Sequence, residues 1–284
     1  MPQSLRTLKL RIRGIENTRK ITNAMEMVSS AKLSRVKNRL FSQRAYFTKL
    51  ENALHGLLGT GALTGHPLLE KRENPKNITL CVITSDAGLC SVYNYSIIRL
   101  AEKFIDGRGK DRVKLITVGR DGFNYFKNLN FSISNSHLEL YGRYSAMTAD
   151  AITKELTDKF LSKEADEVYM AYTYFANTLR HKPMVEKLLN IDYTVKSDID
   201  YILEPDTEKV LNALLSDYIY DRTRLIILNA FTSEHAARMI AMKSATDNAK
   251  ELLETLTLLR NKARQAAVTK EVLEIAMSAE ALKG

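Results

Sequence analysis

The sequence predicts an α/β chain in which two long terminal helices form an antiparallel coiled-coil hairpin and a Rossmann-like α/β domain lies between them in the chain. Three observations support this prediction. The stretch from Asp206 to Lys283 contains neither glycine nor proline. Between Gly14 and Gly56 both residues are again absent. Ten of the twelve glycines and four of the five prolines fall between Gly56 and Pro205, so the residues that end helices are concentrated in the middle.

The N-terminal segment carries apolar residues at mostly helical spacing, which predicts one long helix. These residues are Leu5, Leu8, Ile12, Ile15, Ile21, Met25 and Val28, and the pattern resumes at Val36, Leu40, Phe47, Leu50, Leu54 and Leu57. The seam is interrupted by Thr18, Thr22, Ser29 and Lys32, so it is less regular than the seam at the other end of the chain.

The C-terminal segment has the three-then-four apolar rhythm of a coiled-coil seam. The seam runs through Met242, Ala245, Ala249, Leu252, Leu256, Leu259, Ala263, Ala266, Leu273 and Met277, with Lys270 out of pattern. At roughly 1.5 Å per residue, such a helix is on the order of 100 Å long, which is more than a compact domain needs. Two of the seam alanines, Ala263 and Ala266, would let a partner helix approach closely and narrow the rod.

The two helices are predicted to pack on each other. If the middle of the chain folds as one domain with neighbouring termini, the first helix enters it where the last one leaves, and the two run antiparallel. We therefore predict an intramolecular hairpin with a left-handed twist. Two alternatives stay open at this point: each helix packs on the domain, or each packs on a homodimer partner. The predicted boundaries are 1–57 for the first helix, 58–205 for the α/β domain and 206–284 for the last helix.

The middle of the chain alternates strand-like and helix-like segments, which predicts a mostly parallel sheet covered by helices on both faces. The predicted strands are 78–84, 112–118, 167–175 and 185–195, and the predicted helices are 97–104, 121–129 and 146–161. No apolar run reaches the roughly 18 residues of a membrane-spanning helix. The N-terminus also lacks the apolar core of a signal peptide, so we expect a protein of the cytoplasmic side.

The net charge of +9 is unevenly distributed along the chain. Residues 1–50 contain twelve Lys or Arg against Glu16 and Glu26, a local balance of +10. A basic helix is compatible with nucleic acid, an anionic membrane surface or an acidic protein cavity. Nucleic-acid binding is disfavoured because the basic residues fall on several faces and no aromatic residue precedes Phe41. We therefore favour a charged surface that faces solvent or another protein. A nucleic-acid-binding coiled coil stays an alternative interpretation.

No arrangement of residues indicates catalysis, a cofactor or a metal. The turn from Asp86 to Cys90 has one glycine, not the GxGxxG set that lets the backbone approach a pyrophosphate, so we interpret it as structural. No P-loop occurs, and the five histidines lack zinc-site spacing. Cys81 and Cys90 are predicted to be buried free thiols. A small α/β enzyme with helical extensions remains a third interpretation.

Several long motifs resemble one family. They are IENTRKITNAMEMV at 15–28 followed by AKL at 31–33, TSDAGLC at 84–90, SEHAARMIAM at 233–242, ATDNA at 245–249 and NKARQAAVT at 261–269. Together they closely resemble the gamma subunits of F-type ATP synthases, and the resemblance extends over nearly the whole chain. It implies a non-catalytic rotor shaft, one copy per complex, that couples ion (proton) flow through the membrane to ATP synthesis or hydrolysis by other subunits.

The resemblance also implies partners and a location. The shaft would thread a hexamer of alpha and beta subunits, which hold the nucleotides. The α/β domain would sit at the foot, against the epsilon subunit and the ring of c subunits. The chain would be a peripheral protein at the cytoplasmic face of the cell membrane, without inserting into it. No nucleic acid and no cofactor is implied.

Six residues inherit contact roles from the motifs. Met25 is expected beside the beta-subunit loop that touches the shaft. Arg264, Gln265 and Thr269 resemble the polar group that engages the catch loop of a beta subunit. Tyr201 and Glu204 resemble the foot segment near the c-ring and epsilon.

The chain departs from the family pattern at three positions. Ala87 replaces a usual Arg or Lys, Ser91 replaces a usual Gly, and Leu203 stands where an aromatic residue is common. These departures bear on contacts of the 84–91 loop and of the foot. Between Pro183 and Glu204 there is no Cys-bearing insertion like that of the chloroplast form, so thiol switching is not expected.

Overall fold

The computed structural model describes residues 5–59, 66–70, 72, 75–191 and 207–281. Packing divides the chain into two compact units. Unit 1 comprises Met1–Val28 and Met239–Gly284, and unit 2 comprises Ser29–Arg238. Among the described residues, no helix combines the length and the apolar character needed to cross a bilayer.

The element order is helix, α/β domain, helix, as the sequence predicts. The elements are α1 (Leu5–Gly59), β1 (Ile78–Ile83), α2 (Tyr93–Arg108), a short 3-10 turn (Lys110–Arg112), β2 (Val113–Val118), α3 (Arg120–Asn128), β3 (Ile133–His137), α4 (Ala146–Leu161), β4 (Glu167–Phe175), β5 (His181–Leu189) and α5 (Thr207–Ala281). The terminal helices α1 and α5 are 55 and 75 residues long and each is one element. The bounds of α4 and β4 agree with the sequence prediction. The predicted domain boundaries at 57/58 and 205/206 stay predictions.

The sheet has five strands in the order β3-β2-β1-β4-β5. Strands β1 to β4 are parallel, and β5 is antiparallel to β4. The predicted mostly parallel sheet is therefore confirmed. Every residue of the central strand β1 is buried, as expected of a strand covered on both faces.

Helices cover the sheet from two directions. Leu80 and Val82 of β1 pack with Ile97 and Ala101 of α2 and with Phe126 of α3 in one apolar cluster. The chain then reverses direction across the sheet, since β4 pairs with β1 and not with β3. Because parallel crossovers are right-handed, this reversal places α4 on the face opposite α2 and α3.

Two strand predictions differ from the structure. Strand β5 begins at His181, four residues before the predicted start, and it includes Pro183 opposite Thr173. Proline is tolerated there because β5 is the outer strand of the sheet, where a missing N–H costs no ladder bond. The end of the predicted strand, 192–195, lies outside the described residues. Strand β3 was not predicted at all; its sequence, ISNSH, is polar because it is the other outer strand.

In unit 2, the parts of α1 and α5 run antiparallel. The ring of Phe47 lies 5.2 Å from that of Tyr218, and Gln43 donates a 2.9 Å hydrogen bond to Asp221. Residue numbers thus rise along α1 as they fall along α5. Apolar side chains from both helices are buried along this pair, among them Leu40, Leu54, Leu211 and Leu215.

In unit 1, the ends of the same helices also pack antiparallel. Leu8 and Ile12 of α1 form an apolar cluster with Leu256 of α5. The hydroxyl oxygens of Thr22 and Thr246 lie 2.8 Å apart in the same seam. The predicted intramolecular hairpin is therefore confirmed.

The register of the α5 seam differs from the prediction at alternate positions. Leu256 and Ala263 pack in the cluster around Leu8 as predicted, but Leu252 and Leu259 are each 47% exposed, and Leu253 packs in that cluster although it was not a predicted seam residue. Because Leu252 and Leu253 are adjacent and both apolar, the sequence is compatible with two alternative seams. Packing against α1 determines which of the two is buried. The predicted seam residues Ala266, Leu273 and Met277 are likewise exposed.

The α1 seam also uses residues that the sequence analysis treated as interruptions. Thr22 and Ser29 are buried, whereas Ile21 and Val28 are more than half exposed. Small hydroxyl residues can face a partner helix because their hydroxyls bond to backbone carbonyls of their own helix, as Thr22 does to Arg19.

Candidate partner-contact surface and the closed crevice of the sheet

The carboxyl ends of β1 and β4 mark the point where the strand order reverses. In open α/β sheets, ligands bind in the crevice outside this point. The segment after β1, residues 84–91, is here called the strand-end loop. It contains the TSDAGLC motif, so the geometry of this loop decides whether the crevice forms a ligand site.

A carboxylate of the protein occupies the anion position of the crevice. Asp86 accepts hydrogen bonds from the backbone N–H groups of Arg120 (3.0 Å), Glu139 (3.0 Å) and Tyr141 (2.7 Å). Arg120 is the first residue of α3, and a helix N-terminus with converging N–H groups is a typical anion cradle. Glu139, Tyr141 and Gly142 all have positive φ, which turns the 139–142 loop around the carboxylate.

Asn94, at the start of α2, fixes the strand-end loop from the other side. Its side-chain oxygen accepts the N–H of Ser85 at 2.9 Å, and its amide donates to the Ser85 hydroxyl at 2.7 Å. The same amide contacts Asp121 of α3. The loop is thereby tied to both helices that follow it.

Helix α5 fills the rest of the crevice. Arg238 donates hydrogen bonds to the carbonyls of Ala87 (2.7 Å) and Gly88 (3.2 Å) and to the carboxylate of Glu234 (2.8 Å). The side chain of residue 87 takes no part in these bonds, so the Ala87 departure leaves them intact.

The two residues that flank Glu234 in the chain donate hydrogen bonds to backbone carbonyls of the α/β domain. His235 donates a 3.0 Å hydrogen bond to the carbonyl of Gly142, and Ser233 donates to the carbonyl of Thr173 in β4. A Cβ at Gly142 would come within 2.7 Å of the His235 ring and 3.2 Å of Glu234. Only glycine permits this approach, so the crevice is closed by a fitted helix.

Burial shifts the pKa values of two titratable groups in this cluster. Burial raises the pKa of Glu234, although the adjacent Arg238 opposes the shift. Burial lowers the pKa of His235 to about 4, so its ring is neutral at pH 7. Within the described part of the chain, Oε2 of Glu234 and Nδ1 of His235 have no hydrogen-bond partner.

The crevice offers no nucleophile with a base. Burial raises the pKa values of Cys81 and Cys90, so both thiols are protonated at neutral pH. The Ser85 hydroxyl donates to the carbonyl of Ala87. Across the described ranges, no group of three His, Cys, Asp or Glu side chains is placed to hold a metal ion. The arrangement fastens helix α5 to the sheet through Arg238, His235 and Ser233.

The six sequence-predicted contact residues fall in different places. Arg264, Gln265 and Thr269 lie within two turns of α5 and all three are exposed. The Thr269 hydroxyl donates to the carbonyl of Gln265 at 2.9 Å. Tyr201 and Glu204 lie outside the described residues, as does Leu203.

Met25 lies on α1 and is half-buried. Thr22 lies opposite Thr246 and the two helices are antiparallel, so Met25, three residues after Thr22, lies near residue 243 of α5. That position is about twenty residues, roughly 30 Å, from Arg264 along the helix. Met25 therefore belongs to a separate part of the unit 1 surface.

The end of α5 exposes a continuous apolar and polar surface. Val268, Val272, Leu273, Ile275 and Met277 are each more than half exposed. Arg264 and Gln265 make no side-chain hydrogen bond or ion pair within the part of the chain that is described. Such a surface is typical of a partner interface, in which free donors and apolar side chains find complementary groups. We call residues 264–277 the α5 tip.

The residue patterns considered above predict no role for Asp86, Glu234, His235 and Arg238. All four stand inside the quoted motifs, which is a signal in itself. A second signal is the sequence of α5 on either side of Ser233–His235. Alanine and larger apolar residues there occupy every face of the helix, and the polar residues stand among them. A helix that is apolar all round is buried, so polar residues within it require partners.

Comparison with known proteins agrees with the motif resemblance. The family profile described as "ATP synthase" matches residues 4–282. An "ATP synthase gamma chain" of Geotalea uraniireducens is 38% identical over 287 residues, covering 99% of both chains. One from Chloroherpeton thalassium is 36% identical over 299 residues, covering 99% of this chain and 98% of the other.

Solved structures share the fold. The central stalk and c-ring structure of Tetrahymena thermophila mitochondrial ATP synthase contains a chain with a TM-score of 0.60 and 24% identity, covering 79% of this chain and 99% of that one. A chain of the Euglena gracilis mitochondrial ATP synthase has a TM-score of 0.68 and 14% identity, covering 98% and 94%. At these identities the likeness concerns the fold.

Proposed function

The chain belongs to the ATP synthase gamma-chain family, and from that membership we propose that it is the non-catalytic central rotor shaft of the enzyme. The observation that carries the proposal is the antiparallel packing of the two terminal helices in each unit. A shaft must resist bending, and neither helix is interrupted by proline. In this function the α/β domain performs no chemistry, and side chains of α5 occupy its crevice.

The proposed mechanism assigns the chemistry to the partners. Ion flow through the c-ring turns the ring and this chain, and rotation of the asymmetric shaft changes the conformations of the surrounding alpha and beta subunits. Hydrolysis of ATP by those subunits drives the shaft in reverse. The α/β domain contacts epsilon and the c-ring, with Tyr201 and Glu204 as foot contacts. The protein resides at the cytoplasmic face of the cell membrane as a peripheral subunit, one copy per complex.

The α5 tip is the proposed beta-subunit contact. Arg264 and Gln265 are exposed and have donors free to bind a carboxylate or carbonyl on the catch loop of a beta subunit. Thr269, one turn further, completes this polar group. The apolar residues of the tip would be sheltered by an apolar socket at the end of the hexamer. Met25 makes a second contact with a beta subunit from α1.

The test of this function uses nucleotide hydrolysis. The purified chain is expected to hydrolyse no ATP alone, and hydrolysis is expected when it is reconstituted with alpha and beta subunits. Rotor function further requires one copy of this chain per hexamer, which native mass spectrometry measures. Stoichiometric ATP turnover by the isolated chain, or failure to join an alpha–beta hexamer, would refute the proposal.

A further inference from the structure

Two polar junctions in unit 2 each join α1, α5 and the α/β domain. The inner junction consists of Arg44 of α1, Asn229 of α5 and the backbone of Phe175 at the end of β4. The outer junction consists of Gln43 of α1, Asp221 and Arg224 of α5, and Asp150 of α4. Apolar side chains of both helices, among them Leu40 and Leu215, are also buried in this unit.

The inner junction is built around one buried amide. Arg44 donates hydrogen bonds to the side-chain oxygen of Asn229 (2.9 Å) and to the carbonyl of Phe175 (3.1 Å). The same Asn229 oxygen also accepts the N–H of Phe175. The guanidinium of Arg44 stacks 4.9 Å from the ring of Tyr174. Asn229 is 2% exposed, so water cannot replace these bonds.

The outer junction extends the connection to α4. Arg224 donates two roughly parallel hydrogen bonds to the carboxylate of Asp150, at 2.8 and 2.9 Å. It also contacts Asp221 at 3.1 Å, and Asp221 accepts the Gln43 amide at 2.9 Å. A bidentate arginine–carboxylate pair fixes both distance and orientation. Three helices are thus held at defined angles by four side chains.

These bonds serve a purpose that apolar packing cannot. The hydrophobic effect is non-directional, whereas hydrogen bonds and bidentate ion pairs depend on the distance and the angle between two particular groups. Buried and half-buried charged groups contribute little net stability compared with apolar residues of the same volume. Their contribution lies in fixing one geometry. Both junctions include both terminal helices, whereas a purely structural anchor would need only one.

We propose that these two junctions carry torque between the α/β domain and the two shaft helices. The inference rests on the proposed rotor function and assigns Arg44, Asn229, Arg224 and Asp150 as positioning residues for energy coupling. Load applied to the domain reaches α1 and α5 together, so that the pair turns as one body. Loss of a junction makes the attachment of the helices more compliant without removing any catalytic group.

The test measures torsional stiffness in the assembled alpha–beta complex. A bead is attached through Tyr95→Cys and Arg99→Cys, two exposed positions on one face of α2, and rotation is arrested with a non-hydrolysable nucleotide. The angular variance of the arrested bead is inversely related to stiffness. Cys81 and Cys90 are buried and do not compete for the label.

The variants are Arg44→Met for the inner junction and Asp150→Ala for the outer one. If the two junctions share the load in parallel, removal of one raises the angular variance of the bead about twofold. The increase is smaller for Asp150→Ala, because water can bind the Arg224 donors that the carboxylate leaves. Asp150→Ala changes a side chain that is 36% exposed, so the chain still folds and assembles even if Arg44→Met does not. Arg180→Met, which alters an exposed arginine in the β4–β5 turn, is the matched control and is expected to leave the variance unchanged.

Two outcomes separate the inference from the function on which it rests. An increased variance in Asp150→Ala and in any assembled Arg44→Met complex, with an unchanged control, supports the inference. Equal variance in wild type, Asp150→Ala and the control, with ATP-driven rotation intact, overturns the torque assignment and leaves the rotor function standing. A wild-type complex that never rotates with ATP refutes the rotor function itself.

Discussion

The carboxylate of Asp86 accepts a 2.7 Å hydrogen bond from the backbone N–H of Tyr141, although fifty-five residues separate them in the chain. The same carboxylate accepts two further backbone N–H groups, one of them at the start of α3. In a nucleotide-binding α/β protein, this position takes a ligand anion. Here the protein supplies its own anion, and the crevice serves to fasten α5 to the sheet.

Asp86→Ala is expected to destabilise the chain by roughly 2–4 kcal/mol, because three backbone donors lose a charged acceptor. Chemical denaturation of the isolated chain measures the loss. Acetate should restore part of the melting temperature of the variant, since it can enter the vacated cradle, whereas chloride at equal ionic strength should not. Asp106→Ala, which removes an exposed carboxylate of α2, is the control and should show neither effect. Equal responses of both variants to acetate would contradict the cradle.

Ser91→Gly is expected to stabilise the chain by about 0.5–1 kcal/mol. Ser91 has φ +54°, a left-handed conformation that favours glycine, and its side chain is exposed. Glycine adopts this conformation without the steric cost that Ser91 incurs. Ser96→Gly, inside α2, should have the opposite sign and cost about 0.5 kcal/mol. Unfolding in urea distinguishes the two, and a destabilised Ser91→Gly would contradict the backbone argument.

His235 gives the fold a defined sensitivity to acid. Burial lowers its pKa to about 4 in the folded chain, from the ordinary value of 6.5. The unfolded chain therefore binds more protons between pH 6.5 and 4. The contribution of His235 to stability is fully present above pH 6.5 and is lost as the pH falls through this window.

His235→Gln keeps a donor for the carbonyl of Gly142 but cannot titrate. Between pH 7 and 4, wild type should lose up to about 3 kcal/mol of unfolding free energy relative to this variant. The buried Glu234, whose pKa burial raises, works in the opposite direction in both chains, so the difference between the chains isolates the histidine. A difference that stays flat over this pH range would show that His235 is not kept neutral by the fold.

Arg264→Ala combined with Gln265→Ala tests the α5 tip. Because the two side chains are exposed and lack partners in the described chain, their loss should leave the helix content of the isolated chain unchanged. Coupled ATPase activity or assembly with alpha and beta subunits should fall about tenfold, the equivalent of one charge-assisted hydrogen bond. Lys262→Ala, an exposed substitution in the same turn, is the control. Wild-type assembly and activity of the double variant would remove the assigned role.

The long helices, the alternation of strands and helices in the middle of the chain, and the buried free cysteines could be predicted because each depends on local pattern. The absence of glycine and proline from the terminal segments specifies α1 and α5, and β-branched runs specify β1 and β2. The register of the helix pair could not be predicted in full. Leu252 and Leu253 are adjacent and equally apolar, and the packing of Leu8 and Ile12 decides between them.

The crevice could not be predicted because its parts are far apart in sequence. Arg238 and Ala87 are separated by 151 residues, and their bond uses a backbone carbonyl that no sequence pattern identifies. The missing GxGxxG pattern argued against a pyrophosphate site, but it gave no indication that α5 packs against the strand-end loop. Strand β3 was missed for a related reason, since an outer strand lacks the apolar pattern by which buried strands are found.

Direct observation of rotation tests the central claim, that the paired terminal helices form a shaft turned by other subunits. A fluorescent rod attached to α2 of this chain, in an immobilised alpha–beta complex, should turn continuously in one direction when ATP is added and stop when ATP is removed. Rapid ATP hydrolysis by the same complexes with a rod that never turns would contradict the account.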